Sequence, residues 1–231
     1  MKRNFWLVSI AAALSLGLGA CGSKDSAPVV SAPEKEVVSV APAAPKADAV
    51  TPVAPSTATE YVIDAEQSTI KYIGSKGIAG LVMDSHPGGW SSFDGSVTVQ
   101  GDDLSTLQIT LNIDMKSIYS DDKDLERKLI EEPGFFEVAK FPAARFVSSA
   151  VTKKDAGVEV KGELELHGIK KNVTFPATVI ISGKELTAEA EFVINRQDWD
   201  INYKQGIEGA ANQAIIDEVP ISFFVVGKLK A

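Results

Sequence analysis

In the segment Val158-Glu-Val-Lys-Gly-Glu-Leu-Glu-Leu166, the apolar residues Val158, Val160, Leu164 and Leu166 alternate with Glu159, Lys161, Glu163 and Glu165. Successive side chains fall on opposite faces only in an extended strand, so this segment has one apolar and one charged face and must be half-buried. Leu107, Ile109, Leu111, Ile113 and Met115 alternate with polar neighbours in the same way. So do Leu186, Ala188, Ala190, Phe192 and Ile194, and then Val219, Ile221, Phe223 and Val225. With further strands expected near 61–64, 69–75, 93–100, 144–151 and 172–181, the total is about eight or nine antiparallel strands. Each has one face to hide, which an all-β sandwich or barrel achieves.

The period changes once. Asp121 to Ile130 predicts a short helix, with acidic residues in the first turn, Leu125 and Leu129 four apart, and Arg127 and Lys128 near the end. Pro133 and Gly134 stop it before Phe135 and Phe136, whose rings need cover; a helix lying over one mouth of a barrel supplies that cover. Asp121, Asp122 and Asp124 lack the glycine and terminal glutamate of a calcium loop and read as a solvated helix start.

The alternation occupies residues 61–231, a single-domain length able to bury a core. What precedes it has another character. Lys2 and Arg3 lead into a mostly apolar run from Phe5 to Leu18, then Leu18-Gly-Ala-Cys21, the order of a secretory signal. The run falls short of the roughly 20 apolar residues that span a bilayer. Leu-Gly-Ala-Cys resembles the bacterial lipobox, in which the cysteine is acylated and the signal is cut before it. That resemblance implies a lipoprotein signal peptide at residues 1–20 and a membrane anchor on Cys21, the only cysteine in the chain. Two or three acyl chains give stable attachment at about 0.8 kcal/mol per buried CH2. Gly22 after the cysteine implies, by the same resemblance, sorting to the outer membrane with the domain facing the periplasm. The rest of residues 21–60 carries Pro28, Pro33, Pro42, Pro45, Pro52 and Pro55 and reads as an extended linker.

Several function classes drop out on composition. With 23 Lys+Arg against 31 Asp+Glu, a net charge of −8 and no basic block, the chain offers nucleic-acid phosphates little to bind. One cysteine and two histidines exclude a disulfide framework and a Cys/His metal site. There is no Gly-x-Ser-x-Gly elbow, no His-Glu-x-x-His helix and no phosphate loop, so neither an enzyme nor a cofactor is expected.

A set of motifs runs in order along the domain: Tyr61-Val-Ile-Asp64, Ser68-Thr-Ile70, Phe93-Asp-Gly95, Phe135-Phe-Glu-Val138 before Phe141-Pro142, Phe146-Val-Ser148, Gly162-Glu-Leu-Glu-Leu-His-Gly168, and Ile194-Asn-Arg196 with Trp199 and Ile201. Together they resemble the YceI-like family over essentially all of residues 61–231. The resemblance implies a single antiparallel lipocalin-like barrel of about eight strands, with an elongated apolar lumen. In that lumen the family holds a polyisoprenoid or quinone-like lipid, usually in the periplasm. Two departures bear on the headgroup end. Many members have a histidine where this chain has Gly74-Ser-Lys76, and a His-Leu pair where it has Lys128-Leu129.

Alternation defines two faces without saying which points inward. A membrane pore would turn the apolar face to lipid; the lipobox, the tether, the scarcity of Trp and Tyr and the non-aromatic C-terminus favour a soluble barrel with Glu159, Glu163 and Glu165 in water. An eight-stranded interior is either filled by side chains or holds one slender ligand. A filled core, serving as an envelope interaction domain without a small-molecule ligand, therefore stands beside the lipid carrier. The candidate lumen residues are Tyr72, Phe93, Ile113, Phe146, Leu164, Phe192 and Phe223, with Phe135 and Phe136 at the mouth. His86, Tyr119 and Arg196 are the polar candidates for a headgroup. Asp84-Ser-His-Pro-Gly-Gly-Trp90 reads as a loop with His86 exposed, Arg196, which precedes Asp198 and Asp200, is expected to pair with a carboxylate at a turn, and His167 before Gly168 to cap a hairpin.

Overall fold

The computed structural model describes residues 58–78, 81–203 and 214–231. The signal peptide, Cys21 and the linker up to residue 57 lie outside the described residues. The strands are β1 (Ala58–Ile63), β2 (Thr69–Ile78), β3 (Leu81–Trp90), β4 (Phe93–Gln100), β5 (Asp103–Asp114), β6 (Ile118–Ser120), β7 (Ala143–Lys154), β8 (Gly157–Leu166), β9 (Ile169–Ser182), β10 (Glu185–Asn195), β11 (Ala214–Ile215) and β12 (Glu218–Leu229), with one α-helix, α1 (Lys123–Glu131), between β6 and β7. The four alternating segments and the five further expected strands each fall on a strand of this list.

Antiparallel pairing runs β1-β4-β5-β7-β8-β9-β10-β12 and returns to β1 through Tyr61↔Leu229 and Ile63↔Gly227. Eight strands thus close into a barrel, which leaves no free sheet edge around this ring. Val158, Val160 and Leu166 point inward and are buried, whereas Lys161 and Glu163 are exposed. The apolar face is the inner one, opposite to the arrangement of a lipid-spanning barrel. One end is packed shut by Val99, Val158 and Leu186, each no more than 1% exposed.

At the other end the wall is extended by a second tier. Beyond Ile63 the chain turns and β2 replaces β1 as the partner of β12, pairing Ile70↔Phe223 and Tyr72↔Ile221. β3 then pairs with β2, and β6 with β3. Here the structure corrects the sequence reading, because Asp84 to Trp90 is a strand rather than a loop. His86 pairs with Gly74 on β2, and only 13% of its side chain is exposed. Gly88 and Gly89 are there for space: a Cβ on Gly88 would lie 2.4 Å from the Tyr72 hydroxyl, and one on Gly89 2.7 Å from that of Tyr119. Glycine in a strand interior often marks such a close approach.

α1 starts where β6 ends. The Asp122 carboxylate caps it, accepting from the amides of Asp124 and Leu125 at 2.8 and 3.2 Å. Leu129 is buried and Leu125 and Ile130 are half-buried against the upper core, so the helix lies across the barrel mouth. Gly134 (φ +85°) turns the chain and its carbonyl accepts from the Tyr203 amide at 2.9 Å. His167 and Gly168, both at positive φ, make the two-residue turn joining β8 and β9. The His167 ring is buried, with Nδ1 2.9 Å from the Trp199 carbonyl.

β9 and β10 pair only from Thr178↔Glu189 outward to Ser182↔Glu185. Pro176, which has no N–H to donate, lies just beyond the last pair. Where the ladder would continue, the rings of Phe175 and Phe192 stack with centroids 4.5 Å apart.

Candidate functional site

Side chains do not fill the barrel. They leave a cavity of about 130 Å³ that runs from Leu107 and Leu186 at the closed end to Trp90 and Ile194 beneath the helix. The filled-core arrangement that the alternation also allowed is therefore not the one adopted. All of its lining residues are aliphatic or aromatic. A buried water needs only about 10–15 Å³ but requires two to four polar partners, so this wall suits hydrocarbon and not water. Leu164, Phe192 and Phe223 line that space and are only half-buried.

The cavity is narrowed by four rings from four strands. Phe146 on β7 lies 5.6 Å from Phe175 on β9, which stacks on Phe192 of β10 and meets Phe223 of β12 edge-on at 5.8 Å. A second cavity of about 80 Å³ lies under α1, lined by residues including Tyr72, Gly74, Leu129, Phe135, Phe136 and Arg196. Trp90, Leu166, Ile194 and Ile221 line both, so the two cavities lie next to each other along these four side chains.

Of the residues singled out in the sequence, Ile113, Phe146, Leu164, Phe192 and Phe223 line the main cavity. Tyr72, Phe135 and Phe136 line the chamber under the helix. Phe135 stacks on Tyr203 at 4.2 Å and Phe136 stands edge-on to Trp90 at 6.2 Å. Phe93 lines neither; it is packed into the upper core. Burial pushes the Tyr72 phenol above its ordinary pKa. Its hydroxyl therefore stays protonated and donates to the Tyr119 carbonyl at 3.2 Å. Trp90, Phe175 and Ile221 were not singled out. The alternation Val173, Phe175, Ala177, Val179 carried the signal for Phe175, while the glycines before Trp90 hid its strand.

The three polar candidates do not converge. His86 ties β3 to the start of α1, with Nδ1 3.1 Å from Asp121 and Nε2 3.2 Å from Asp84, and lines neither cavity. Tyr119 lies on β6 with 38% of its surface exposed and lines neither cavity. Arg196 alone reaches the mouth chamber. It is 4% exposed, and its carboxylate partner is Asp217 at 2.8 Å, not Asp198 or Asp200. Its Nη1 donates to the carbonyls of Ile201 and Tyr203, and its Nη2 to that of Ile215 at 3.1 Å. Burial lowers its pKa and the Asp217 carboxylate opposes that shift. Among the described residues no group of three or more His, Cys, Asp or Glu is placed to hold a metal ion.

Residues 61–226 match the YceI-like domain. The chain belongs to the YceI-like domain family. Relatives of this YceI-like chain include the protein YceI of Salmonella arizonae, 28% identical over 163 residues, covering 65% of this chain and 81% of the relative. A UPF0312 protein of Pseudomonas putida is 33% identical over 135 residues, covering 55% of this chain and 66% of the relative. A UPF0312 protein of Shewanella denitrificans is 29% identical over the same length and shares. Among solved structures, Burkholderia cenocepacia BcnA superposes with a TM-score of 0.59 at 23% identity, over 71% of this chain and 98% of that one. A polyisoprenoid binding domain from Saccharophagus degradans superposes with a TM-score of 0.56 at 18% identity, over 74% and 98%. At these identities the superpositions show the barrel fold that the YceI-like domain shares with them.

Proposed function

We propose that this YceI-like domain binds a slender amphiphilic lipid, a polyisoprenoid or quinone-like molecule, with its tail in the lumen and its head under α1. The observation that carries this reading is the wholly apolar main cavity, with a second cavity under α1 that shares the wall residues Trp90, Leu166, Ile194 and Ile221 with it. On β10 the lumen reaches from Leu186 to Ile194, which is about 26 Å of strand and, at the usual barrel tilt, on the order of 20 Å of depth. Such a shape admits a chain and not a globular ligand. Each CH2 moved from water into it contributes about 0.8 kcal/mol. A volume of about 130 Å³ is small beside the roughly 300–1,000 Å³ of drug-sized sites, so a long tail requires the Phe175, Phe192 and Phe223 rings to swing aside. The polyisoprenoid binding by the Saccharophagus degradans neighbour supports this ligand class.

Acylated Cys21 would hold the domain at the periplasmic side of the outer membrane, with the proline-rich linker as its tether. Leu81, Val82 and Met83, exposed on β3 beyond the mouth, suit loading at a lipid surface. The test is organic-solvent extraction of the purified protein followed by mass spectrometry. One lipid per chain is expected. Preparations that are repeatedly free of lipid, and that take up none from vesicles, would replace the carrier by an interaction domain.

A further inference from the structure

The ribbon made by β2 and β3 runs on past the mouth with apolar side chains on both of its faces. Gly74 on β2 lines the cavity under α1, and beyond it the hairpin continues to Ile78, which pairs with Leu81. Its outer part, Gly77-Ile-Ala-Gly-Leu-Val-Met83, has no charged or hydrogen-bonding side chain. Leu81, Val82 and Met83 are 66%, 53% and 53% exposed, and Ile78 is 38% exposed. Successive strand residues point to opposite faces, so this run leaves both faces of the ribbon apolar and open. Charge returns below these residues, where Lys76 pairs with Asp84 across the two strands and its Nζ lies 3.8 Å from the carboxylate. Elsewhere among the described residues the exposed large apolar side chains occur one at a time along the chain, as on ordinary protein surfaces.

We propose that the tip of this ribbon enters the surface of a lipid bilayer and sets the barrel mouth against it. A protein partner docked on one face would leave the other in water, whereas immersion in lipid covers both. The reach fits a bilayer surface: two residues separate Lys76 from Ile78, about 7 Å of strand, within the roughly 5–10 Å to which interfacial elements sink. The backbone sets the same limit. β3 pairs with β6 only from Gly88 to Trp90, so among the described residues the outer edge of Leu81, Val82 and Met83 has no strand beside it. Unpaired backbone is costly in the hydrocarbon core, but water and headgroups still reach it at the boundary. Direction matters because the chain enters the barrel at Ala58, which pairs with Gln100 beside Val99 at the closed end. A tether on the preceding residues therefore holds the end opposite the mouth, and the ribbon is what turns the mouth to the lipid. The inference rests on the loading step proposed above, but its test reads ribbon and lumen separately.

The test is photolabelling of the full chain in vesicles of phosphatidylethanolamine and phosphatidylcholine that contain a phospholipid with a diazirine high on its acyl chain, followed by peptide mass spectrometry. Label is expected on the Ile78 to Met83 stretch at about tenfold or more the level on Ile180, which is 59% exposed but lies toward the closed end. Leu81→Asp with Val82→Asp puts one charge on each face; both side chains are more than half exposed, so Tm should stay unchanged and show that the variant is folded. Ribbon label should then fall by about tenfold or more, because an unpaired charge resists leaving water, and lipid uptake from the vesicles should slow. Ribbon label no higher than that on Ile180, label unchanged by the two substitutions, or uptake at the original rate in the variant overturns the proposal. Label inside the barrel, at Phe223 for instance, with none on the ribbon overturns it and leaves the lumen reading standing. Ribbon label with no lipid in the barrel supports insertion and overturns the lumen reading. Sedimentation without vesicles covers the other occupant: a dimer that the same substitutions dissociate, with no ribbon label in vesicles, makes a second copy of the chain the partner and overturns the proposal.

Discussion

Replacing Ala188 by leucine should make the protein more stable and a poorer lipid binder. Ala188 lies on β10 opposite Val225 and Val179, and it lines the main cavity. An unfilled interior costs about 24 cal/mol per Å³, so a cavity of about 130 Å³ costs the fold about 3 kcal/mol, which is the ceiling on what filling it can return. Leucine adds three carbons, which gain about 2.4 kcal/mol on burial and lose about 0.5–1 kcal/mol of rotamer freedom. The net gain expected is about 1–2 kcal/mol. For a domain of this size that raises Tm by about 3–6 °C. Scanning calorimetry of delipidated protein reads the stability, and extraction with mass spectrometry reads the bound lipid, which should fall at least about tenfold if the lost volume belonged to the tail. A Tm that drops, together with unchanged lipid content, would show that Ala188 faces packed side chains and that there is no open lumen beside β10.

Other perturbations probe the parts that shape the site. Gly88→Ala places a methyl 2.4 Å from both the Tyr119 carbonyl and the Tyr72 hydroxyl, so a loss of about 1–3 kcal/mol is expected in chemical denaturation. Asp217→Asn leaves the Arg196 guanidinium buried without its counter-charge; because Asp217 is itself a third exposed, the loss should be about 2–3 kcal/mol rather than the full value of a wholly buried pair. The amides of Leu125 and Asp124 hold the Asp122 carboxyl below its ordinary pKa of 3.8. A lowered folded value means that its contribution is present above pH 3.8 and is lost as pH falls through the folded value. Amide exchange at Asp124 and Leu125 should therefore accelerate in acid, and the acid-dependent part should vanish in Asp122→Asn. Cys21→Ser should move the protein from the membrane to the soluble fraction; continued retention on membranes would show that the attachment lies elsewhere.

Much of the barrel was legible because inward and outward positions alternate strictly on β5, β8, β10 and β12. β3 was not. Its residues serve close approach instead of burial: Gly88 and Gly89 give up side chains so that Tyr72 and Tyr119 can cross them, and Pro87 before them completes what reads as a turn. The same local disguise hid Trp90, two residues from Gly88, although it lines both cavities. Arg196 shows a different limit. Its neighbours Asp198 and Asp200 were the obvious carboxylates, but the register Asn195↔Glu218 carries Asp217 to it from across the strand pair, and the Arg196 amide donates to the Asp217 carbonyl at 2.9 Å.

Whether a barrel is hollow is not a property of any one strand. Alternation says which side chains enter the interior, and volume depends on how those from distant strands meet. Phe146, Phe175, Phe192 and Phe223 cross the lumen as one cluster of rings, yet they come from β7, β9, β10 and β12. Their flat faces leave gaps that interdigitated aliphatic chains would close, and this is where the cavity lies. The fold tolerates the void because its losses are offset elsewhere. Val99, Val158 and Leu186 seal one end, α1 covers the other, and ring closure through β1 and β12 pairs the wall around the barrel. The ladder between β9 and β10 stops beyond Thr178, where the Phe175–Phe192 stack stands in place of ladder hydrogen bonds. The rings that limit the lumen therefore also hold a seam in its wall. Widening the cavity by truncating Phe175 would cost wall as well as core, whereas filling it from Ala188, on the paired stretch of β10, costs neither.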